Sequence, residues 1–151
     1  MSEIGETQKS WVMEVMLEVQ MLQDMLNEFS TPILGKFLQR VFNIDTIPIL
    51  LFTKNGLFEL SGFYFDKKGQ RRECFMTSFF SIDSVNEENN CVTLLLLRPI
   101  NVYNQPADSV YDVFRLVKTP VCVEVDLDCF CGIQSFHPNL LKKEIIIEPK
   151  W

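Results

Sequence analysis

The chain has 151 residues, 47% of them hydrophobic, which suits a single globular domain with a sizeable core and excludes a disordered chain. Its formal net charge of -6 argues against a nucleic-acid partner, because phosphates require a basic face and no Lys/Arg cluster is expected to supply one. No stretch of eighteen apolar residues occurs and no basic segment precedes an apolar one at the N-terminus, so neither membrane insertion nor a secretion signal is expected, and synthesis in a cytosol is.

Residues 1–7 read as a polar, frayed start. From Ser10 to Phe29 the residues Val12, Val15, Val19, Leu22, Leu26 and Phe29 recur at alternating spacings of three and four, a helical stripe that Trp11, Met16, Met21 and Met25 widen. Glu14, Glu18, Gln20, Gln23, Asp24 and Glu28 keep the rest of the surface wet. The stripe has two uses. Docking on the chain's own sheet is the first expectation, and pairing with another chain through Val12, Val15, Val19, Leu22 and Leu26 is the second, since this spacing also makes a coiled-coil seam. Ser30-Thr31-Pro32 ends the helix and caps a short second one from about Pro32 to Val41, where Leu34, Phe37, Leu38, Val41 and Phe42 keep helical spacing.

Beyond Asp45 the pattern turns to strands. Ile47–Thr53 is a nearly continuous apolar run, and Asn55-Gly56 supplies a tight turn into Leu57–Phe65. The polar turn at Asp66–Gln70 leads into one strand from Arg72 to Ile82, with Cys74, Met76, Phe80 and Ile82 on one face and Phe75 and Phe79 on the other. After the solvated loop Asn86–Asn90, Cys91–Leu97 is apolar on both faces apart from Thr93 and reads as a central strand that Arg98-Pro99 stops. Residues 100–109 form the longest irregular connection. Val110–Val117 fits a strand or a short helical turn, and Ile145–Ile147 adds a last edge strand.

Val121–Gln134 carries the cleanest strand pattern and three of the five cysteines. Val121, Val123, Val125, Leu127, Cys129, Cys131 and Ile133 fall on one face, and Cys122, Glu124, Asp126 and Asp128 on the other. This places Cys129 and Cys131 in the core and Cys122 among carboxylates. The whole is an α+β fold: an N-terminal amphipathic helix and a short second helix on a mostly antiparallel β-sheet system, either a sandwich or a partly closed barrel.

Catalytic chemistry finds little support. The single histidine, His137, sits six residues past Cys131 with nothing to orient it as a base for a cysteine nucleophile. A zinc site would need Cys74 or Cys91 to meet the Cys129/Cys131 pair, and the acidic row Glu124, Asp126, Asp128 lacks the looped cage that calcium prefers. No loop with phosphate-cradling glycines opens a helix. Sulfur redox remains, since a strand C-x-C spacing disfavours a bond between its own two sulfurs and leaves each to a neighbour.

The segment Cys122-Val123-Glu124-Val125-Asp126-Leu127-Asp128-Cys129-Phe130-Cys131-Gly132-Ile133-Gln134, preceded by Phe114–Thr119, resembles the C-terminal signature of the CotY/CotZ spore-coat family, which includes the exosporium protein ExsY. Thr46–Phe52, Cys74-Phe75 and Leu97–Val102 agree with it in order, so the resemblance spans 46–138. It implies a β domain at 46–138, to which the helical spacing adds a segment at 10–42 and the chain length a single domain of 1–151. It also implies a structural protein rather than an enzyme, without cofactor or resident metal, made in the mother cell and deposited on the outer spore layers. Its partners would be further copies of itself and other coat or exosporium proteins, with Cys74, Cys91, Cys122, Cys129 and Cys131 as the cross-linking or core cysteines. The chain departs from the family pattern in having no cysteine within residues 1–45 and a Met-rich helix there instead. A β domain that holds a metal or ligand through these cysteines is the alternative reading.

Overall fold

The structure, a computed structural model, describes residues 2–28, 46–135 and 146–148, with side chains described for 11–25 and 46–135. The expected second helix at 32–41 and His137 lie outside these residues. Helix α1 runs Ser2–Glu28, so the polar start is already helical. Its buried face is Val12, Met16 and Gln23, with Val19 half-buried, a set spaced by three and four. That face is rotated from the expected stripe: Leu22 is 46% exposed, while Gln23 is only 5% exposed. The rotation has a polar cause, because Gln23 Oε1 accepts the Ile47 N–H at 2.7 Å and ties the helix to the start of the first strand.

Among the described residues nine strands follow: β1 Ile49–Thr53, β2 Gly56–Leu57, β3 Leu60–Asp66, β4 Arg71–Thr77, β5 Phe79–Asn86, β6 Cys91–Ile100, β7 Arg115–Asp126, β8 Gly132–Ser135 and β9 Ile146–Glu148. The main sheet has the order β2-β1-β5-β6-β7-β9, with β8 also paired to β1, and β3-β4 form a separate hairpin sheet. Every pairing is antiparallel except β7 with β9. The main sheet curls into a half-barrel, as its two register shifts favour, between Ile82 and Ser84 and between Leu95 and Leu97. The α+β reading holds, and α1 packs on β5 and β8 of its own sheet.

Local chemistry explains the turns. Gly56, with φ 115°, occupies the left-handed backbone region that returns β1 into β2. In the β3–β4 turn Asp66 Oδ1 accepts the Lys68 N–H at 3.0 Å. The expected single strand from Arg72 to Ile82 is two strands in two sheets. At the break the Thr77 hydroxyl accepts the Phe79 N–H (2.9 Å) and donates to the Leu97 carbonyl, bending the chain at buried Ser78. The phase therefore changes: Phe75 joins Phe80 and Ile82 in the core, and Cys74 and Met76 are exposed.

β6 is central and covered on both faces, as its composition indicates. Val92, Leu94 and Leu96 enter a core with Val12, Met16, Phe75 and Phe80, while Leu97 packs with Leu50, Phe79, Val113 and Leu116 on the opposite face. It does not stop at Arg98-Pro99, which pair with Val117 and Leu116. Thr119-Pro120 forms the bulge of β7, where the buried Thr119 hydroxyl donates at 2.7 Å to the carbonyl of Leu96, the residue that the register shift skips. Val110–Val117 contains both expected forms, a 3-10 turn at Val110–Asp112 and the first residues of β7.

The β3–β4 hairpin lies over the inner face of the main sheet, with Tyr64 edge-on to Phe75 at 5.9 Å. Tyr64 OH accepts from Arg98 Nη1 at 3.1 Å, and the same guanidinium meets Glu73 at 3.3 Å. Gly62 permits this closeness, since a Cβ there would stand 2.5 Å from the Phe75 ring and 3.1 Å from Leu96. Gly62→Ala is expected to destabilise the fold by about 1–3 kcal/mol, the usual cost of overpacking. Urea unfolding followed by tryptophan fluorescence measures it, and an unchanged midpoint would contradict this packing.

Candidate functional site

The cysteine-bearing segment begins as the alternation requires. Val121, Val123 and Val125 lean on the core, while Cys122, Glu124 and Asp126 are exposed on the outer face of β7. Alternation then ends at Asp126, because Leu127–Cys129 forms a 3-10 turn. Three residues complete such a turn, so Leu127 and Phe130 share one side, and both are buried at 3% and 6% exposure. Phe130 stands edge-on to Phe58 at 4.9 Å, and Phe58 reaches Phe80 at 5.7 Å.

Four hydrogen bonds hold the turn. Asp126 Oδ1 accepts the Asp128 N–H (2.9 Å), the Phe130 N–H returns to the Leu127 carbonyl (3.2 Å), and Leu127 N–H donates to the Asn90 carbonyl (3.0 Å). Asn90 Nδ2 donates in turn to Asp128 Oδ1 at 2.8 Å, fastening the β5–β6 turn to this one. After it the Cys131 N–H donates to the Phe52 carbonyl at 2.9 Å and β8 pairs with β1.

The expectation that Cys129 and Cys131 face the core is therefore corrected: both are exposed, since the tighter turn hands their inward places to Leu127 and Phe130. All five cysteines are thiols, with Cys74, Cys122, Cys129 and Cys131 exposed and Cys91 partly covered. No strand cysteine faces another across a ladder. Cys74 lies opposite Phe63, Cys91 opposite Asn86 and Asp126, and Cys122 opposite Leu95.

Their surroundings differ in charge and polarity. Cys91 donates to the Asn89 carbonyl at 3.3 Å and lies beside the outer-face carboxylates; burial first, and then Glu124, Asp126 and Asp128, push its thiol above the ordinary range. Cys74 sits on the outward face of the β3–β4 hairpin among Phe63, Phe65 and Met76, all exposed. The sequence reading missed this apolar face, because Leu57–Phe65 is apolar at both parities and conceals which side is covered.

The candidate association stripe is not a single outward surface. Val12 is buried and Val15 and Val19 are half-buried, Leu22 is exposed, as are Trp11, Met21 and Met25, and Leu26 lies beyond the described side chains. Among the described residues no three His, Cys, Asp or Glu side chains group closely enough to hold a metal ion. A groove of about 530 Å³ between Met76, Phe79, Pro99 and Tyr111 is lined by none of the five cysteines.

The thiol-bearing β segment and the helix ahead of it both fall within a match, over residues 5–138, to the family described as spore coat protein Z. The chain belongs to the spore coat protein Z family. The spore coat protein Z of Bacillus subtilis (strain 168) is 36% identical over 104 residues, covering 66% of this chain and 68% of that protein. No solved structure matches the chain. The spore coat protein Z family is one of structural coat proteins, and the match takes in α1 as well as the β domain through which the resemblance first showed.

The placement of Cys91 makes a kinetic prediction. Only thiolate attacks an alkylating reagent, so a raised pKa slows Cys91 at neutral pH and moves its rate profile to higher pH. Glu124→Gln removes one of the charges responsible and shifts that profile downward. Iodoacetamide labelling across a pH series, read by peptide mass spectrometry, measures both. A Cys91 profile identical in parent and variant would contradict the assignment.

Proposed function

We propose that the chain is a structural building block of the spore coat whose copies join one another and other coat or exosporium proteins, with disulfides between chains consolidating contacts made first without them. The observation that carries this reading is the outward presentation of Cys74, Cys122, Cys129 and Cys131 by a member of a coat-protein family. Cys74 and Cys122 stand on strands with no cysteine across the ladder, so in this reading a disulfide partner comes from another molecule. Each bond would form from two thiols that give up two protons and two electrons to dioxygen once the reducing mother-cell cytosol is gone.

The absence of cysteine from residues 1–45 makes this cross-linking sparser than in the cysteine-rich pattern of the family. Non-covalent association carries correspondingly more of the assembly. The exposed apolar residues of α1, Trp11, Leu22 and Met25, are available to it.

The test is a gel with and without reductant on the purified chain after exposure to air. Oligomers that survive denaturant and collapse with reductant are expected, and replacing Cys74, Cys122, Cys129 and Cys131 together by serine removes them. A chain that stays monomeric at high concentration, oxidised or reduced, would overturn the proposal.

A further inference from the structure

We infer that the outward face of the β3–β4 hairpin docks a second copy of this chain, head to tail, on the acidic outer face of its β6 and β7. This rests on the self-assembling reading above and names the surfaces that would meet.

The hairpin carries one of the strongest unpartnered apolar faces in the molecule. Phe63, Phe65 and Met76 are 71%, 56% and 61% exposed, and by register they share a face with Cys74. Their scaffold is stiff, because the inner side of the hairpin is held by the Tyr64–Phe75 ring contact and the Arg98–Glu73 ion pair. A preorganised support spares docking the cost of ordering its backbone.

Charge decides the occupant. The hairpin end gathers Lys67, Lys68, Arg71 and Arg72, all exposed, in a chain of net charge -6. Of the two acids nearby, Glu73 already meets Arg98, and Asp66 is engaged in the turn. Two hairpins placed face to face would set these cations against each other, which disfavours a symmetric pair. The complement lies elsewhere on the same chain. Asp83, Glu87, Glu88, Glu124, Asp126 and Asp128 are exposed, and residues 83–97 and 119–135 contain no lysine or arginine.

The topology keeps the two surfaces apart. The hairpin covers the inner face of the main sheet, whereas Glu124 and Asp126 point outward from β7. A copy cannot satisfy its own hairpin, and a contact between two unlike surfaces leaves one of each open on every pair. Such a contact propagates into rows unless its rotation happens to close a ring. It also brings Cys74 of one copy toward the face that carries Cys122 of the next.

Charge exchange followed by sedimentation velocity, in reducing buffer at low salt, tests this without disulfides. One variant carries K67E, K68E, R71E and R72E; a second carries E87K, E88K and E124K; a third, F63S with M76S, removes apolar contact alone. Each by itself is expected to associate at least about tenfold more weakly than the parent. An equimolar mixture of the first two is expected to recover parent-like assembly, because every contact between unlike variants is again complementary, and that recovery also shows both to be folded. Any variant assembling as the parent does, or a mixture that stays monomeric, would overturn the docking while the parent's own assembly leaves the broader reading standing. A parent that never associates under any redox condition would overturn both.

Discussion

Burial of Leu127 and Phe130 in one 3-10 turn is the constraint on which most of this molecule depends. Two residues three apart go inward together, and the chain reverses from β7 toward β1. Phe130 closes on Phe58, α1 packs over the turn, and Asn90 ties it to the β5–β6 connection. Burying two such side chains contributes roughly 3–6 kcal/mol, a large share of the stability typical of a domain. The same turn sends Cys129 and Cys131 outward.

A division of labour between the two faces of the main sheet follows. The inner face is closed by α1 and by the hairpin, through Val12, Met16 and Phe75. The outer face is covered at one end by Val113 and Leu116, and at the other it is left to Cys91, Thr93, Cys122, Glu124 and Asp126. Thiols held on a ladder have directions set by the backbone. Fixed directions of this kind agree with the structural role of the spore coat protein Z family.

Much of the architecture was legible in the sequence because it rests on periodicity. The alternation from Val121 to Asp126, the two-sided burial of β6 and the helical character of α1 all survive in the structure. What failed did so where a change of phase hides inside a continuous pattern. Cysteine reads as a small hydrophobe, so Cys129 and Cys131 extended the valine parity past the point where the backbone leaves the strand. In the same way Thr77-Ser78 carries no conventional break, and only the hydroxyl of Thr77 bonding to Phe79 and Leu97 divides Arg72–Ile82 between two sheets. Gln23 was assigned to water by its polarity and is buried by a hydrogen bond to a residue 24 positions away. Neighbouring residues alone do not announce such partners. The cationic hairpin end escaped notice for a related reason: Lys67-Lys68 and Arg71-Arg72 are two short pairs until the turn joins them.

Above all, the sulfurs of the C-terminal β segment face outward. Maleimide labelling of the native, reduced chain for a short time, with each site quantified against the unfolded chain, tests it most directly. The account predicts that Cys129 and Cys131 are modified without unfolding, alongside Cys74 and Cys122. Protection of Cys129 and Cys131 until the protein is denatured would contradict it.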